Sequence, residues 1–519
     1  MLNKIIIRTN YSSQVGLGHF YRMIRFLKPI SKKFDLILLI DEKKNLPKLD
    51  INCKILEIYG KKNKFKSEID DAIKINKLIE GNNVKFIIVD DYRIGKKWEK
   101  FFYKKYKLII FDDLNNKKHL CDFIVDSKHV GEETQNRYNN LLPNNCIKLL
   151  GPRYAVINDQ LNQKKKTKNN LLLYFGGGGN LSHYFNFFKN IVEENKTKKN
   201  LSKINITLVI GPVAEGYSKF LKYNKHKNVK ILQNNYNLKT TLENTSMFLG
   251  VSSSIIYDLN YLKIPSCIFS TDDNQDNSMD NLEDMGNYFS IDHDDIKHNY
   301  KKLSKLVFIL FENYRRISKL TNSCKIKIDN KGHKRIWAII INKKKITELN
   351  KNKIKLVKNG YYKIKDSLIN KYLFFRNQNI NRKMSINRNK IKNLDHYIWW
   401  FTTKRKSFYF IKNFKLMLIF SQEIINIINK KFWYGAWFKC QNEIKISDII
   451  EGLNMQIIKT KKINSLKWFA IIKKNNSSVY YANKLIGFLE DKLYINKISK
   501  YLKVYFKIKK ISNYHFLIK

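Results

Sequence analysis

Short apolar, β-branched runs alternate with amphipathic stretches through the first two thirds of this chain, and that alternation limits its fold more than any other feature. Lys4 to Arg8 opens the series, a glycine loop follows, and Phe20 to Ile30 carries helical spacing. Leu36 to Ile40, Phe86 to Val89, Leu108 to Phe111 and Phe123 to Val125 continue it. Runs this short, separated by helix-length segments, belong to a parallel sheet covered by helices on both faces. The lysine-rich stretch from Asn162 to Asn170 interrupts the pattern as a linker would. A second series begins with Leu171 to Phe175 and runs through Ile206 to Ile210, Val229 to Leu232, Met247 to Val251 and Ser266 to Phe269. The expectation is an α/β fold with two Rossmann-type lobes, residues 1–161 and 171–345.

After about residue 345 the chain becomes aromatic and very basic, with only eight acidic residues from 351 to 519, which marks a third domain over 350–519. Three domains suit a chain of 519 residues, since single cores stop growing well short of that length. A net charge of +55 ordinarily points to nucleic acid. Here the excess is mostly Lys, spread over the whole chain beside abundant Asn, Ile, Tyr and Phe, with 20 Gly and 6 Pro. All the enriched residues have AT-rich codons, so genome composition explains the charge better, and a solvated lysine surface is its physical result. No specific nucleic-acid partner is expected. No apolar run reaches the roughly 18 to 20 residues of a membrane span, and the first residues read as a strand, so the chain is expected to be cytoplasmic without a membrane association. Six cysteines lie singly with no C-x-x-C spacing, which suggests neither a disulfide framework nor a metal site.

Three loops are candidates for chemistry. Gly16-Leu17-Gly18-His19 follows the first strand, where glycines let backbone turn tightly and approach a ligand. It lacks the third glycine of a dinucleotide fingerprint and the spacing of a Walker loop. His19 there is either a capping or packing residue or a general base at the carboxyl edge of the sheet, where open α/β folds place ligands. Tyr174-Phe175-Gly176-Gly177-Gly178-Gly179-Asn180 ends a predicted strand and is either a flexible turn or a set of N–H donors for phosphate. Ser252-Ser253-Ser254 precedes the helix Ile255 to Leu262 and would offer orphan N–H groups on the same edge. Asp258, one turn into that helix, could accept from a ribose, and Asn274-Gln275 follows the next strand.

Arg8-Thr9-Asn10 through Gly16-Leu17-Gly18-His19 and Arg22 resembles the opening of the UDP-2,4-diacetamido-2,4,6-trideoxy-β-L-altropyranose hydrolases of pseudaminic acid biosynthesis. The likeness continues in order through Val89-Asp90-Asp91-Tyr92, Phe111-Asp112-Asp113-Leu114, Cys121-Asp122, Leu150-Gly151-Pro152-Arg153-Tyr154-Ala155, Phe175-Gly176-Gly177, Ile210-Gly211-Pro212, Leu262-Lys263-Ile264-Pro265 and Asn274-Gln275. The resemblance implies a GT-B-like pair of lobes with UDP held mainly by the second. It also implies that His19 takes a proton from water, which attacks C1 with inversion, and that UDP leaves into the glycine and serine loops without a metal or cofactor. Gly16, Gly18, Arg22, Tyr92, Gly176, Gly177, Ser252, Ser253, Ser254, Asp258, Asn274 and Gln275 are the implied substrate contacts, Tyr92 toward the sugar. The chain departs from the family at Asn10 in place of Asp, at the serines in place of a glycine-rich loop, and at Asp258 in place of Glu. Other enzymes of nonulosonic acid biosynthesis are the implied partners.

In the third domain Phe374-Phe375-Arg376-Asn377, Arg382, His396 and Trp399-Trp400 are similar to the start of sugar-amine N-acetyltransferases of the GNAT superfamily. Asn475, Ser478, Lys484 and Ile486-Gly487-Phe488 are similar to its late block. The implied fold is α+β and the implied cofactor acetyl-CoA. The glycine turn that cradles its pyrophosphate is missing, however, since Gly435 and Gly452 are the only glycines between Trp433 and Trp468. Acetyl transfer and a degenerate docking or substrate-channelling module both remain open, as do two rivals for the lobes: a GT-B glycosyltransferase with a UDP-sugar donor, and a non-catalytic UDP-sugar scaffold. The tryptophans and Tyr480-Tyr481 are expected in the core.

Overall fold

The computed structural model describes residues 3–10, 18–43, 46, 49–60, 64–163, 169–199, 203–233, 238–271, 281–342 and 358–519. They fall into two compact units, Met1–Asn350 and Lys351–Lys519.

The first unit holds two parallel sheets. In the first lobe the strands are β1 (Lys4–Thr9), β2 (Asp35–Ile40), β3 (Lys54–Glu57), β4 (Val84–Asp90), β5 (Lys107–Phe111), β6 (Phe123–Asp126) and β7 (Ile147–Leu150), in the order β3-β2-β1-β4-β5-β6-β7. Every pair is parallel, with Ile6 opposite both Ile37 and Ile87. Ile5, Ile7, Leu38, Ile88 and Ile109 face one buried layer and Ile6, Leu39, Ile87, Ile110 and Ile124 the other, so the sheet is apolar on both sides. Lys54–Glu57 and Ile147–Leu150 escape the sequence pattern because they are the sheet's edges: β3 has no fully buried residue and β7 buries only Leu149 and Leu150.

The second lobe repeats the scheme with β8 (Asn170–Tyr174), β10 (Asn205–Ile210), β12 (Val229–Gln233), β13 (Met247–Val251), β14 (Ser266–Phe269) and β15 (Phe289–Ser290), ordered β12-β10-β8-β13-β14-β15. A short parallel ribbon joins β9 (Gly178–Asn180) to β11 (Val213–Glu215). Strand order reverses between β1 and β4 in the first lobe and between β8 and β13 in the second, and such switch points open crevices at the carboxyl ends of the strands. The last helix, Gly332–Asn342, returns to the first lobe: Trp337 stacks on Phe26 at 4.6 Å and its indole N–H donates to the Phe26 carbonyl at 2.7 Å. Two Rossmann-like lobes strapped in this way make a GT-B-like pair.

The second unit carries one mixed sheet of β16 (Gly360–Lys363), β17 (Lys406–Lys412), β18 (Lys415–Ile427), β19 (Lys430–Lys439), β20 (Trp468–Lys473) and β21 (Tyr514–Ile518), in sequence order. All neighbours are antiparallel except β19 and β20, which pair in parallel only at Trp433↔Trp468 and Tyr434↔Phe469. The helix Ile446–Lys461 makes the crossover between them. This is a GNAT-like α+β arrangement. The two glycines between Trp433 and Trp468 are packing glycines: a Cβ on Gly452 would stand 2.7 Å from the Phe420 ring, and one on Gly435 would meet Trp468 at 2.8 Å. Trp400 is buried, but Tyr481 is 60% exposed, contrary to its expected core place.

No helix among the described residues is long and apolar enough to cross a membrane. All six cysteines are free, yet the fold brings Cys121 and Cys146 within 3.6 Å across neighbouring segments, a proximity their sequence spacing conceals.

Candidate active site

The helix Gly18–Leu27 starts at the switch point of the first lobe, so His19 and Arg22, one turn apart, face the carboxyl ends of β4 and β5 together. Nδ1 of His19 lies 2.6 Å from Oδ1 of Asp90, the last residue of β4, which is fully buried. Arg22 clasps the same carboxylate through Nε at 2.8 Å and Nη2 at 2.5 Å, and reaches Asp113 through Nη1 at 3.1 Å. Nη2 also stands 3.2 Å from Nδ1 of His19. A guanidinium only donates, so it cannot share Nδ1 with a proton given to Asp90, and the shorter charge-assisted bond to the carboxylate decides the tautomer. Nδ1 is therefore the protonated nitrogen, and the lone pair sits on Nε2.

Burial pushes the Asp90 carboxyl upward, but Arg22 and His19 outweigh it and hold it down to about 2, so it stays an anion at any working pH. Tyr92, two residues on, packs its ring edge against His19 at 4.6 Å and 87° and donates its hydroxyl to Asp113. His19, Arg22 and Asp113 each keep 11 to 18% of their side chains exposed, so the cluster reaches the crevice surface over a buried anion. A buried carboxylate orienting an imidazole whose other nitrogen takes no partner among the described residues is the arrangement a general base needs.

Beside it, Asp126 at the end of β6 accepts from Nε of Arg137 at 2.6 Å and from the Lys128 backbone N–H at 2.8 Å. Burial, with Asp113 nearby, raises its carboxyl to about 6 against the pull of Arg137. Near the end of β1, fully buried Arg8 is wedged among Asp71, Asp41 and Asp91, a scaffold for the strand ends rather than a reactive group.

The second lobe presents its glycine and serine loops at its own switch point, after the adjacent strands β8 and β13. Gly176 has φ +109°, which only glycine adopts without strain. The backbone of Gly177 lies so close to Gly211 that any side chain at 211 would collide with it. The four glycines are not one open loop, because Gly178 and Gly179 belong to β9.

Several sequence expectations are corrected here. The N–H of Ser252 already donates to the Phe269 carbonyl at 2.7 Å and that of Ser253 to the Val251 carbonyl at 3.0 Å, so these are not orphan donors. Ser252 instead leaves its own hydroxyl buried without a partner among the described residues. Ser254 caps the following helix with no side-chain bond. Asp258 is 2% exposed and its oxygens take Arg25 and the Asn158 N–H, both at 3.3 Å, so it ties the lobes together and is closed to a ribose in this arrangement. Arg22 and Tyr92 give their polar atoms to the cluster, Arg22 to Asp90 and Asp113 and Tyr92 to Asp113. Gly18 is exposed, and a Cβ there would meet nothing within 4 Å. Gly16, Asn274 and Gln275 lie outside the described residues. Asp90 and Asp113 were missed as site residues, although a carboxylate pair after each of two successive strands, Asp90-Asp91 and Asp112-Asp113, was their signal. Among the described residues no group of three His, Cys, Asp or Glu is placed to hold a metal ion.

No protein-family model matches the chain. An uncharacterized protein of Methanocaldococcus jannaschii is 26% identical over 276 residues, covering 50% of this chain and 54% of its own length, so the chain spans about half the length of the curated relative it matches. Among solved structures, a UDP co-structure of MnaA from S. aureus is 12% identical, with a TM-score of 0.43 over 67% of this chain and 100% of that one. MurG from Acinetobacter baumannii is 8% identical, with a TM-score of 0.42 over 66% and 100%. An N-acetyltransferase from Staphylococcus aureus Mu50 is 14% identical, with a TM-score of 0.22 over 26% and 85%. These are likenesses at low identity, and the fold assignment rests on the strand orders above.

Proposed function

We propose that the two lobes hydrolyse a UDP-sugar of the diacetamido-trideoxyhexose type, in nonulosonic acid biosynthesis, with His19 as general base. The observation that carries this is Nδ1 of His19 on the buried anion Asp90 at 2.6 Å, at the switch point of an open sheet. A water at Nε2 gives up its proton as its oxygen attacks C1. The bond from C1 to the diphosphate oxygen breaks, UDP leaves toward the second lobe, and the sugar is released with inverted configuration. Asp90 stabilises the imidazolium that forms, and general-base assistance of this kind contributes about 10²- to 10⁴-fold. The ordered likeness to the hydrolases, from Arg8 to Gln275, supports the sugar class. The purified chain, given the UDP-diacetamido sugar in water, is expected to release UDP without an acceptor. A strict acceptor requirement would make it a glycosyltransferase instead.

For the second unit we propose a module that no longer uses acetyl-CoA. The helix start that would cradle the pyrophosphate lacks glycines and carries Asp448 in its first turn, held by Lys412 at 2.7 Å. A carboxylate there repels a diphosphate. Thiol release from acetyl-CoA with the 4-amino UDP-sugar is expected to be nil, and stoichiometric release would contradict this.

A further inference from the structure

Lys128 is a cation without an acceptor among the described residues. It follows β6 at the carboxyl edge of the first-lobe sheet, is 5% exposed, and its ammonium is buried with no hydrogen-bond partner among the described residues. A lysine ammonium carries three donors and is strongly hydrated in water, so burying it bare is unfavourable unless something else answers its charge. The nearby carboxylates are already committed. Asp126 takes Arg137 and the Lys128 backbone N–H, and Asp113 takes Arg22 and Tyr92. Both attract the ammonium electrostatically without bonding it, and burial lowers its proton affinity all the same.

Its neighbours place it in the seam between the lobes. The Ser127 carbonyl accepts from the Tyr257 hydroxyl at 2.9 Å, and His129 meets Asp284 at 3.0 Å. Tyr257 lies on the helix that begins directly after Ser252–Ser254, and its phenol is within electrostatic reach of Asp126, Asp113 and Arg22. Tyr257 thus brings the helix that follows the serine loop to the charges of the His19 cluster, beside Lys128.

We propose that the Lys128 ammonium is the protein's contact to the diphosphate of a bound nucleotide sugar, supplying the positive charge that Ser252 and Ser253, with their N–H groups spent, do not. The inference rests on the nucleotide-sugar reading and names a residue that neither the glycine nor the serine loop supplies. The departing diphosphate gains negative charge as its bond to C1 breaks, and a preorganised cation stabilises that charge where it develops.

The test is titration calorimetry of UDP and uridine against the full chain, with melting curves, for wild type, Lys128→Met and Lys128→Arg. Lys128→Met is expected to weaken UDP binding at least fivefold, leave uridine binding unchanged, and melt no lower than wild type, because an unpartnered charge has been removed. Lys128→Arg is expected to recover part of the UDP affinity. A UDP affinity within fivefold of wild type in Lys128→Met overturns the proposal, and so does parallel loss of uridine binding, which marks a collapsed site. Wild-type chain that binds no UDP overturns the nucleotide-sugar reading itself, and this inference with it.

Discussion

Arg22 makes three of its bonds to carboxylates, and what it has left over defines its work. With two contacts on Asp90 and one on Asp113, it fixes the anion that fixes His19, so it is a positioning residue. Asp90→Asn would keep the shape while removing the charge that selects the Nδ1–H tautomer and stabilises the imidazolium. UDP release by Asp90→Asn is expected to fall roughly 10²- to 10⁴-fold in kcat, with little change in KM, in steady-state kinetics. Equal kcat values would mean that Asp90 only packs. At this scale the sequence was half legible. His19 stands out as a histidine directly after a glycine loop at a helix start, but local pattern leaves it as apt to cap as to catalyse. Its partner comes from 71 residues downstream, and only the pairing of β1 with β4 brings the two together.

Among the elements, buried strands announced themselves and edges did not, because β3 and β7 need an apolar face on one side at most. Close backbone contacts were equally silent. Gly211 sits in an unremarkable Ile-Gly-Pro, yet Gly211→Ala would drive a methyl into the Gly177 backbone. The strain is expected to cost about 1 to 3 kcal/mol in urea unfolding and to weaken UDP binding by displacing the glycine loop. A second element-scale prediction concerns His119, which joins the helix Lys96–Phe102 to β5 through Glu99 at 2.5 Å and Asp112 at 3.5 Å. Burial alone would lower its pKa, but the two carboxylates raise it to about 9. A raised folded-state pKa means that the stabilisation is complete below the unfolded value near 6.5 and is lost as pH climbs through 9. The melting temperature of the wild type is therefore expected to drop between pH 6.5 and 9.5 by more than that of His119→Gln, a difference on the order of 3 kcal/mol at full extent. Identical slopes would contradict the assignment.

Across the first unit, the lobes meet through a polar seam of Arg25–Asp258, Tyr257–Ser127 and His129–Asp284, while the apolar strap of Trp337 on Phe26 supplies the hydrophobic burial. Trp337→Ala is expected to cost about 3 to 5 kcal/mol of unfolding free energy, whereas Asp258→Asn should change stability far less, because burying that carboxylate outweighs what Arg25 returns. The two-lobed plan was legible because two runs of buried strands with a lysine-rich break between them have few other ways to fold. The strap was not, since nothing in Gly332 to Asn342 says which lobe it covers. In the proposed reaction a histidine–aspartate pair at one switch point activates water against a nucleotide sugar held across the crevice. Its most direct test is acceptor-free UDP release from the UDP-diacetamido sugar, followed by NMR for wild type and His19→Ala side by side. Release by the wild type, with inverted sugar as the first product, is expected, with a loss of roughly 10²-fold or more in His19→Ala; undiminished release in the variant would mean that His19 is not the base.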